Sequence, residues 1–442
     1  MGLRRVVVMT VAALLGAVAV ATQYNRPGPS PSAAAVPAPP QWVGAWAAPM
    51  SDGDRGDFGD GPYTVRNVVR LSVGGSAVRL RLSNAFGGDE AEFGPVTVAL
   101  ADPQGAGGLG GPAAPVTFGG NLTVDVPDGG SVVSDPVPFE VADGATLAVS
   151  VHVPDPPPRA SRHILALRTQ YAAEGDHAAD ESSDAFDRTS TSWWYLTGVD
   201  VAGSGATGTV VAFGDSITDG HGSTFGKDRR WPDVLADRLE AAPQRLAVVN
   251  SGISGNLLLP DADDADWGDG EGEGDGEERV ESGDGDVAES ARAAAGDDKR
   301  GRPGVDRAER DIAEPPATRT VVLMLGINDI RHTDEPDAAD VWAGYERIVA
   351  AAHGQGVRVI GSTLLPIGGT DLWTEERERV REQVNERIRA GELFDGFVDA
   401  DAAVRDPDDP SRMRDGLHTG DWLHPSDAGY RAIADAIDLS IL

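Results

Sequence analysis

The sequence predicts an α/β protein: an all-β sandwich over residues 42–205, then over 206–442 a parallel sheet covered by helices. Three observations predict it. From Trp42 to about Val201, short β-rich segments recur with turns between them and almost no helical period, the pattern of an antiparallel sandwich. From Thr209 onward, apolar runs suited to strands buried on both faces alternate with helical stripes, which means a parallel sheet with crossover helices. A segment that fits neither texture, about 261–300, interrupts the second region.

In the first region the β-rich segments are Val65–Leu71, Ala77–Leu82, Val96–Leu100, Leu122–Val126, Val137–Val141 and Leu147–Val153. Gly74-Gly75 between the first two reads as a hairpin signal. Val78, Leu80 and Leu82 alternate with Arg79 and Arg81, so one face of that strand is expected in the core and the other in water. In the second region the strands are Thr209–Phe213, Leu246–Asn250, Thr320–Leu325 and Arg358–Ser362. Val341, Trp342, Tyr345, Ile348, Val349 and Ala352 form one helical stripe, and Val380, Val384 and Ile388 another.

Composition narrows the function. The chain has 442 residues, 37 Lys and Arg against 71 Asp and Glu, a formal net charge of −34, and no cysteine. A phosphate-binding footprint needs a basic face, so nucleic acid is not an expected partner, and an anionic membrane surface is disfavoured for the same reason. Without cysteine, disulfides, thiolate nucleophiles and zinc ribbons are excluded. Residues 261–300 hold sixteen acidic and four basic residues with many glycines, which reads as a solvated, disordered insertion. An EF-hand reading fits badly, because Asp261, Asp263 and Asp264 do not lead into the required Gly and distal Glu.

At the N-terminus, Arg4 and Arg5 precede an apolar run from Val6 to Ala21. That run is short for a spanning helix and has the length of a signal-peptide core, with Ala17-Val18-Ala19 as a small-x-small cleavage site. Residues 1–21 are therefore expected to be a signal peptide, with an uncleaved anchor as the alternative. Residues 22–41 form a Pro/Ala-rich tether. The expectation is a secreted protein with no stable membrane partner beyond such an anchor.

The chemistry gathers at the ends of the parallel strands. Val210–Phe213 runs into Gly214-Asp215-Ser216, which places Ser216 just past the carboxyl end of the first strand, where such folds bind ligands. Asn250-Ser251-Gly252-Ile253-Ser254-Gly255-Asn256 follows the second strand, Gly326-Ile327-Asn328-Asp329 the next, and Asp421-Trp422-Leu423-His424-Pro425 precedes the last helix. With these four blocks in order over about 235 residues, the sequence resembles the SGNH (GDSL-type) esterase/lipase family. Trp42-Val43-Gly44-Ala45-Trp46, Val69–Gly75, Leu82–Gly87 and Trp193–Val199 resemble the N-terminal β-domain of its secreted two-domain actinobacterial members. The acidic insertion after Leu259 departs from that pattern.

The resemblance implies a flavodoxin-like three-layer αβα hydrolase. It implies a secreted serine esterase acting on short-chain O-acyl esters, with acetyl groups on polysaccharide among them. Ser216 is the expected nucleophile, which needs a nearby base. His424 is the expected base, and Asp421 would fix its tautomer and stabilise the imidazolium. The family's oxyanion hole maps onto the backbone N–H of Ser216, the backbone N–H of Gly255 and the side-chain amide of Asn328. The partner is then a small-molecule or polysaccharide ester. No cofactor and no metal are expected, since no His/Asp cluster has ligand spacing.

A second Asp-x-x-His, Asp415–His418, competes with the first. The Asp421/His424 pair is preferred because Pro425–Gly429 resembles the family's approach to its last helix, where Ser426 or Asp427 would cap. His418 and His221 are expected to be pocket or surface residues. Asp215, Asp219 and Asp329 are expected to hold the site loops. Other readings are an inactive glycan-binding protein, a lipase or phospholipase acting on lipid esters, and a metal-dependent hydrolase.

Overall fold

The computed structural model describes residues 41–54, 58, 61–260 and 300–442. The signal segment, the body of the proline-rich tether and the acidic insertion up to residue 299 lie outside the described residues. Among the described residues no helix is long and apolar enough to cross a membrane.

The first region is a sandwich of two antiparallel sheets. One orders its strands Trp42–Ala47, Leu196–Ala202, Gly75–Ser83 and Val137–Val141, with Ser131–Val133 also on Gly75–Ser83. The other orders Arg188–Ser190, Gln170–Glu174, Tyr63–Arg70, Thr146–Val153, Val96–Leu100 and Ala114–Val116. Val65, Val69, Val78, Leu80, Leu82, Val149 and Val151 are fully buried and belong to one core shared by both sheets. A third, small sheet of Asp52–Asp54, Ala160–His163 and Trp193–Trp194 extends toward the second region.

Two local expectations need correction. Tyr63–Arg70 and Gly75–Ser83 are not a hairpin: they lie in different sheets, and Gly74-Gly75 carries the chain from one layer to the other. Both glycines are there for proximity, since a Cβ on Gly74 would meet the Val141 carbonyl oxygen at 2.2 Å and one on Gly75 that of Ala202 at 2.4 Å. The face expected in water is also largely covered. Arg81 is buried, forms an ion pair with Asp200 and donates to the Glu314 carbonyl at 2.5 Å. The alternation marked two different neighbours, the core on one side and the second region on the other.

In the second region the elements, numbered within it, are β1 (Thr209–Gly214), α1 (Ser216–Asp219), α2 (Trp231–Glu240), β2 (Ala247–Gly252), α3 (Gly304–Ala313), β3 (Thr318–Met324), α4 (Ile327–His332), α5 (Ala338–Gly354), β4 (Arg358–Ser362), α6 (Glu375–Ala390), β5 (Gly396–Val398), α7 (Ala400–Val404) and α8 (Asp427–Asp435). The five strands are all parallel, in the order β2-β1-β3-β4-β5. Helices α2 and α7 pack on α8, and α3 and α6 pack on α5, giving the two helical layers of an αβα fold. The strand order reverses between β1 and β3, and ligands of such sheets bind at that crevice.

The two regions meet along β2, the edge of the parallel sheet. Val248 donates its N–H to Ser72 Oγ at 3.1 Å, and Gly44 donates to Thr209 Oγ1 at 2.9 Å. Arg245 pairs with Asp143, and Arg70 with Asp237. The chain from Gln41 to Leu442 is thus one compact unit.

Candidate active site

Ser216 opens α1 directly after β1, and Asp215 caps that helix by accepting from the Ile217 N–H at 3.0 Å. Burial raises the Asp215 carboxyl to about 7, and the neighbouring charge of Asp329 adds to the rise. The turn is locked from behind. Asn250 donates from its side chain to the Thr218 carbonyl at 2.8 Å and accepts from the Gly252 N–H at 2.8 Å. Arg307, which no sequence pattern singled out, is wholly buried and donates to the Gly214 and Ser251 carbonyls and to Asn256 Oδ1. One guanidinium therefore ties together the ends of β1 and β2.

His424 arrives from the far end of the chain. Its Nε2 lies 3.0 Å from Ser216 Oγ, and its Nδ1 lies 2.6 Å from Asp421 Oδ2. The other carboxylate oxygen, Oδ1, accepts from the backbone N–H groups of Leu423 and His424 at 3.0 and 2.9 Å. Burial works to raise the Asp421 carboxyl, but the His424 hydrogen bond, its charge and those two N–H groups outweigh it and hold the group well below the usual carboxylate range. The Asp-x-x-His turn closes with Trp422 in the left-handed region, φ 60°. Strain of that kind persists only where the surroundings over-determine it. Here Trp422 is held between the His418 ring, 4.0 Å away by centroids, and the Arg412 guanidinium.

The structure separates the two Asp-x-x-His pairs. His418 stacks on Trp422 and its Nδ1 accepts from the Gly420 N–H at 3.0 Å, while Ser216 Oγ is engaged by His424. His221 lies beside the site, its ring 4.2 Å from that of His424. Ser426, not Asp427, caps α8, accepting from the Gly429 N–H; Asp427 instead accepts from Thr224 and Arg229.

Gly255 and Asn328 sit in the turns after β2 and β3. Gly255 has φ +75°, a conformation glycine adopts without cost. Ser254 before it is anchored through its N–H and Oγ to Asp219 Oδ2, at 3.0 and 2.7 Å. Asn256 after it donates to the carbonyls of Arg300 and Arg302, both at 2.8 Å. Asn328 is buried on α4. One N–H of its amide goes to the Asn256 carbonyl at 3.0 Å, and its Oδ1 accepts from Arg331 at 3.3 Å, which fixes which end of the amide is the donor. The second N–H has no acceptor among the described residues. Arg331 was missed in the sequence, although its place one turn beyond Asn328 is the spacing at which helical side chains meet. Asp329 accepts from the Leu258 and Leu259 N–H groups, so Asp215, Asp219 and Asp329 all hold site loops.

A serine hydroxyl bonded to an imidazole whose other nitrogen meets a carboxylate can release its proton as it attacks an electrophilic carbon. Among the described residues no group of three or more His, Asp or Glu is placed to hold a metal ion.

The chain matches none of the curated proteins. Among solved structures it is similar to the aryl esterase of M. smegmatis, at 19% identity over 52% of this chain and 95% of that one, with a TM-score of 0.36. It is also similar to a carbohydrate acetylesterase of Sinorhizobium meliloti (17%, 52% and 95%, TM-score 0.36). An acetylxylan esterase of Geobacillus stearothermophilus is similar at 22% identity (52% and 93%, TM-score 0.33). The profile of the GDSL-like lipase/acylhydrolase family matches residues 212–432, half of the chain, from within β1 to within α8. The chain belongs to the GDSL-like lipase/acylhydrolase family, and it is a carboxylic ester hydrolase.

Proposed function

We propose that the protein is a secreted serine esterase that cleaves short-chain O-acyl esters, acetyl groups on polysaccharide among them, through an acyl-enzyme. The observation that carries the reading is the continuous chain from Ser216 Oγ through His424 to Asp421, at 3.0 and 2.6 Å. In this reading His424 takes the Ser216 proton as Oγ attacks the acyl carbon, and returns it to the leaving alcohol. Asp421, held ionised, steadies the imidazolium. The N–H groups of Ser216 and Gly255 and the free N–H of the Asn328 amide receive the negative oxygen of the tetrahedral intermediate. A water activated by His424 then releases the acid. The His221 ring packs against that of His424, with 4.2 Å between centroids.

The test is turnover of p-nitrophenyl acetate, butyrate and octanoate and of acetylated xylan by the wild type and by Ser216→Ala. Activity that falls with chain length and vanishes in the variant supports the reading. Turnover retained by pure Ser216→Ala overturns the serine mechanism. A folded wild type without turnover points to the glycan-binding alternative. Export rests on Arg4, Arg5 and the apolar run Val6–Ala21; uncleaved protein confined to the cytosol would overturn it.

A further inference from the structure

His163 lies outside the family match, at the end of a strand in the small sheet of the sandwich region. Its side chain is 2% exposed, and both ring nitrogens face oxygens. Nδ1 is 2.8 Å from the Pro49 carbonyl, and Nε2 is 3.0 Å from Asp219 Oδ1. A carbonyl only accepts, so Nδ1 carries a hydrogen and the ring orientation is set. One further proton, between Nε2 and the carboxylate, completes a buried pair. The ring also packs on Trp193, 5.5 Å between centroids, and His163 pairs with Trp193 in the sheet.

Asp219 is the last residue of α1, the helix that Ser216 opens. Its second oxygen accepts both the N–H and the Oγ of Ser254. Ser254 is the residue whose carbonyl carbon is bonded to the Gly255 nitrogen. A Cβ on Gly252 would meet the Asp219 nitrogen at 2.2 Å, so the turn after β2 lies against α1 with no slack. A run of contacts thus leads from the sandwich backbone at Pro49, through His163 and Asp219, to the peptide that presents the Gly255 N–H.

We propose that His163 is a positioning residue for the oxyanion hole, through which the β-sandwich holds the Gly255 donor in place for the transition state. Preorganised donors act on the transition state because they need no reorientation as charge develops, and small misplacements of a reacting group cost large factors in rate. The sandwich is then part of the catalytic unit and not only an accessory module. The inference rests on the esterase reading above.

The test compares kcat and KM on p-nitrophenyl acetate, and inhibition by phenylboronic acid as a tetrahedral mimic, for wild type, His163→Phe, His163→Gln, Ser254→Ala and the His163→Phe/Ser254→Ala double variant. His163→Phe keeps a ring against Trp193 and breaks the link. It should lower kcat about 10- to 100-fold with KM within about twofold, the signature of an interaction made in the transition state, and weaken boronate binding in parallel. His163→Gln, which still presents a polar end toward Asp219, should recover part of the loss. The double variant should be less impaired than the product of the two single losses, since Ser254→Ala removes one of two hydrogen bonds from the line that His163→Phe cuts. Wild-type kcat in a folded His163→Phe, or losses that simply multiply in the double variant, would overturn the proposal. Should His163→Phe fail to fold, His163→Gln decides, because it removes the imidazole with a smaller change of polarity; wild-type kcat there overturns the proposal as well. Ser216→Ala keeps the two readings apart. If it retains turnover, the esterase mechanism falls and this inference with it. If it is inactive while His163→Phe is fully active, only the inference falls.

Discussion

The Asn328 amide and the Asn256 carbonyl, 3.0 Å apart, fasten the turn after β3 to the turn after β2. The residue expected to donate to the oxyanion is thereby also a clasp between the two turns. Asn328→Asp keeps the shape of the side chain and removes the donor. It should lower kcat by about 10²–10³, the usual cost of one oxyanion donor. Steady-state kinetics on p-nitrophenyl acetate will check this.

His424→Ala should cost on the order of 10²–10⁴ in kcat, as expected for a lost general base. His418→Ala should change kcat by less than about tenfold, the loss of a ring that supports Trp422 rather than of a proton acceptor. Side-by-side assays of the two variants check the ranking, and the reverse order would make Asp415 and His418 the working pair.

Stability should fall with rising pH through Asp215. Its folded value, about 7, lies above its ordinary value of 3.8 because the group is buried, with Asp329 adding to the rise. The native state therefore holds this proton more tightly than the unfolded chain. The stabilisation is complete below about pH 3.8 and is lost as pH rises through about 7. About three pKa units correspond to on the order of 4 kcal/mol. Asp215→Asn keeps the acceptor for Ile217 and cannot ionise. Its melting temperature should gain on that of the wild type from pH 4 to about pH 7 and level off above that, as followed by thermal scans.

Arg307→Met should destabilise the protein by about 3–5 kcal/mol, the range for breaking a buried pair from one side. The lower end is expected, because Arg310 still pairs with Asp311 at 2.8 Å. Urea denaturation at neutral pH measures it.

Replacing residues 261–299 by a short Gly/Ser linker should leave turnover of neutral acetyl esters within about twofold, since closure entropy depends only weakly on loop length. Asn256 grips the returning chain at the carbonyls of Arg300 and Arg302, so the base of the segment is fixed by described residues on both sides. The rate on anionic esters at low salt should rise, and the gain should shrink as salt screens the charge. A large loss on neutral esters would refute this.

The parallel sheet was legible because its strands are apolar on both faces; Ser216 stood out at a strand end, its pairing with His424 and Asp421 came from the resemblance of the four blocks, and the structure places the three side chains within hydrogen-bond distance. The layering of the sandwich was not. Gly74-Gly75 reads locally as a turn, but which sheet the next strand joins depends on partners more than a hundred residues away, such as Leu196–Ala202. Arg81, Arg307 and His163 escaped for a related reason. A charged or imidazole side chain is read as a surface group until the buried acceptors that surround it are known, and those come from remote parts of the chain.

The strand Leu196–Ala202 lies between Trp42–Ala47 and Gly75–Ser83, and Trp42 pairs with Ala202. The middle of that sheet is therefore made last. As the chain leaves the ribosome, its first strand waits for a neighbour some 150 residues downstream, and until that neighbour arrives two strands expose bare edges toward each other. Long-range pairings of this kind are slow to form and leave edges open to other chains. β1 follows only a few residues after Ala202, so completion of the sandwich and the start of the αβα sheet fall at nearly the same moment of synthesis.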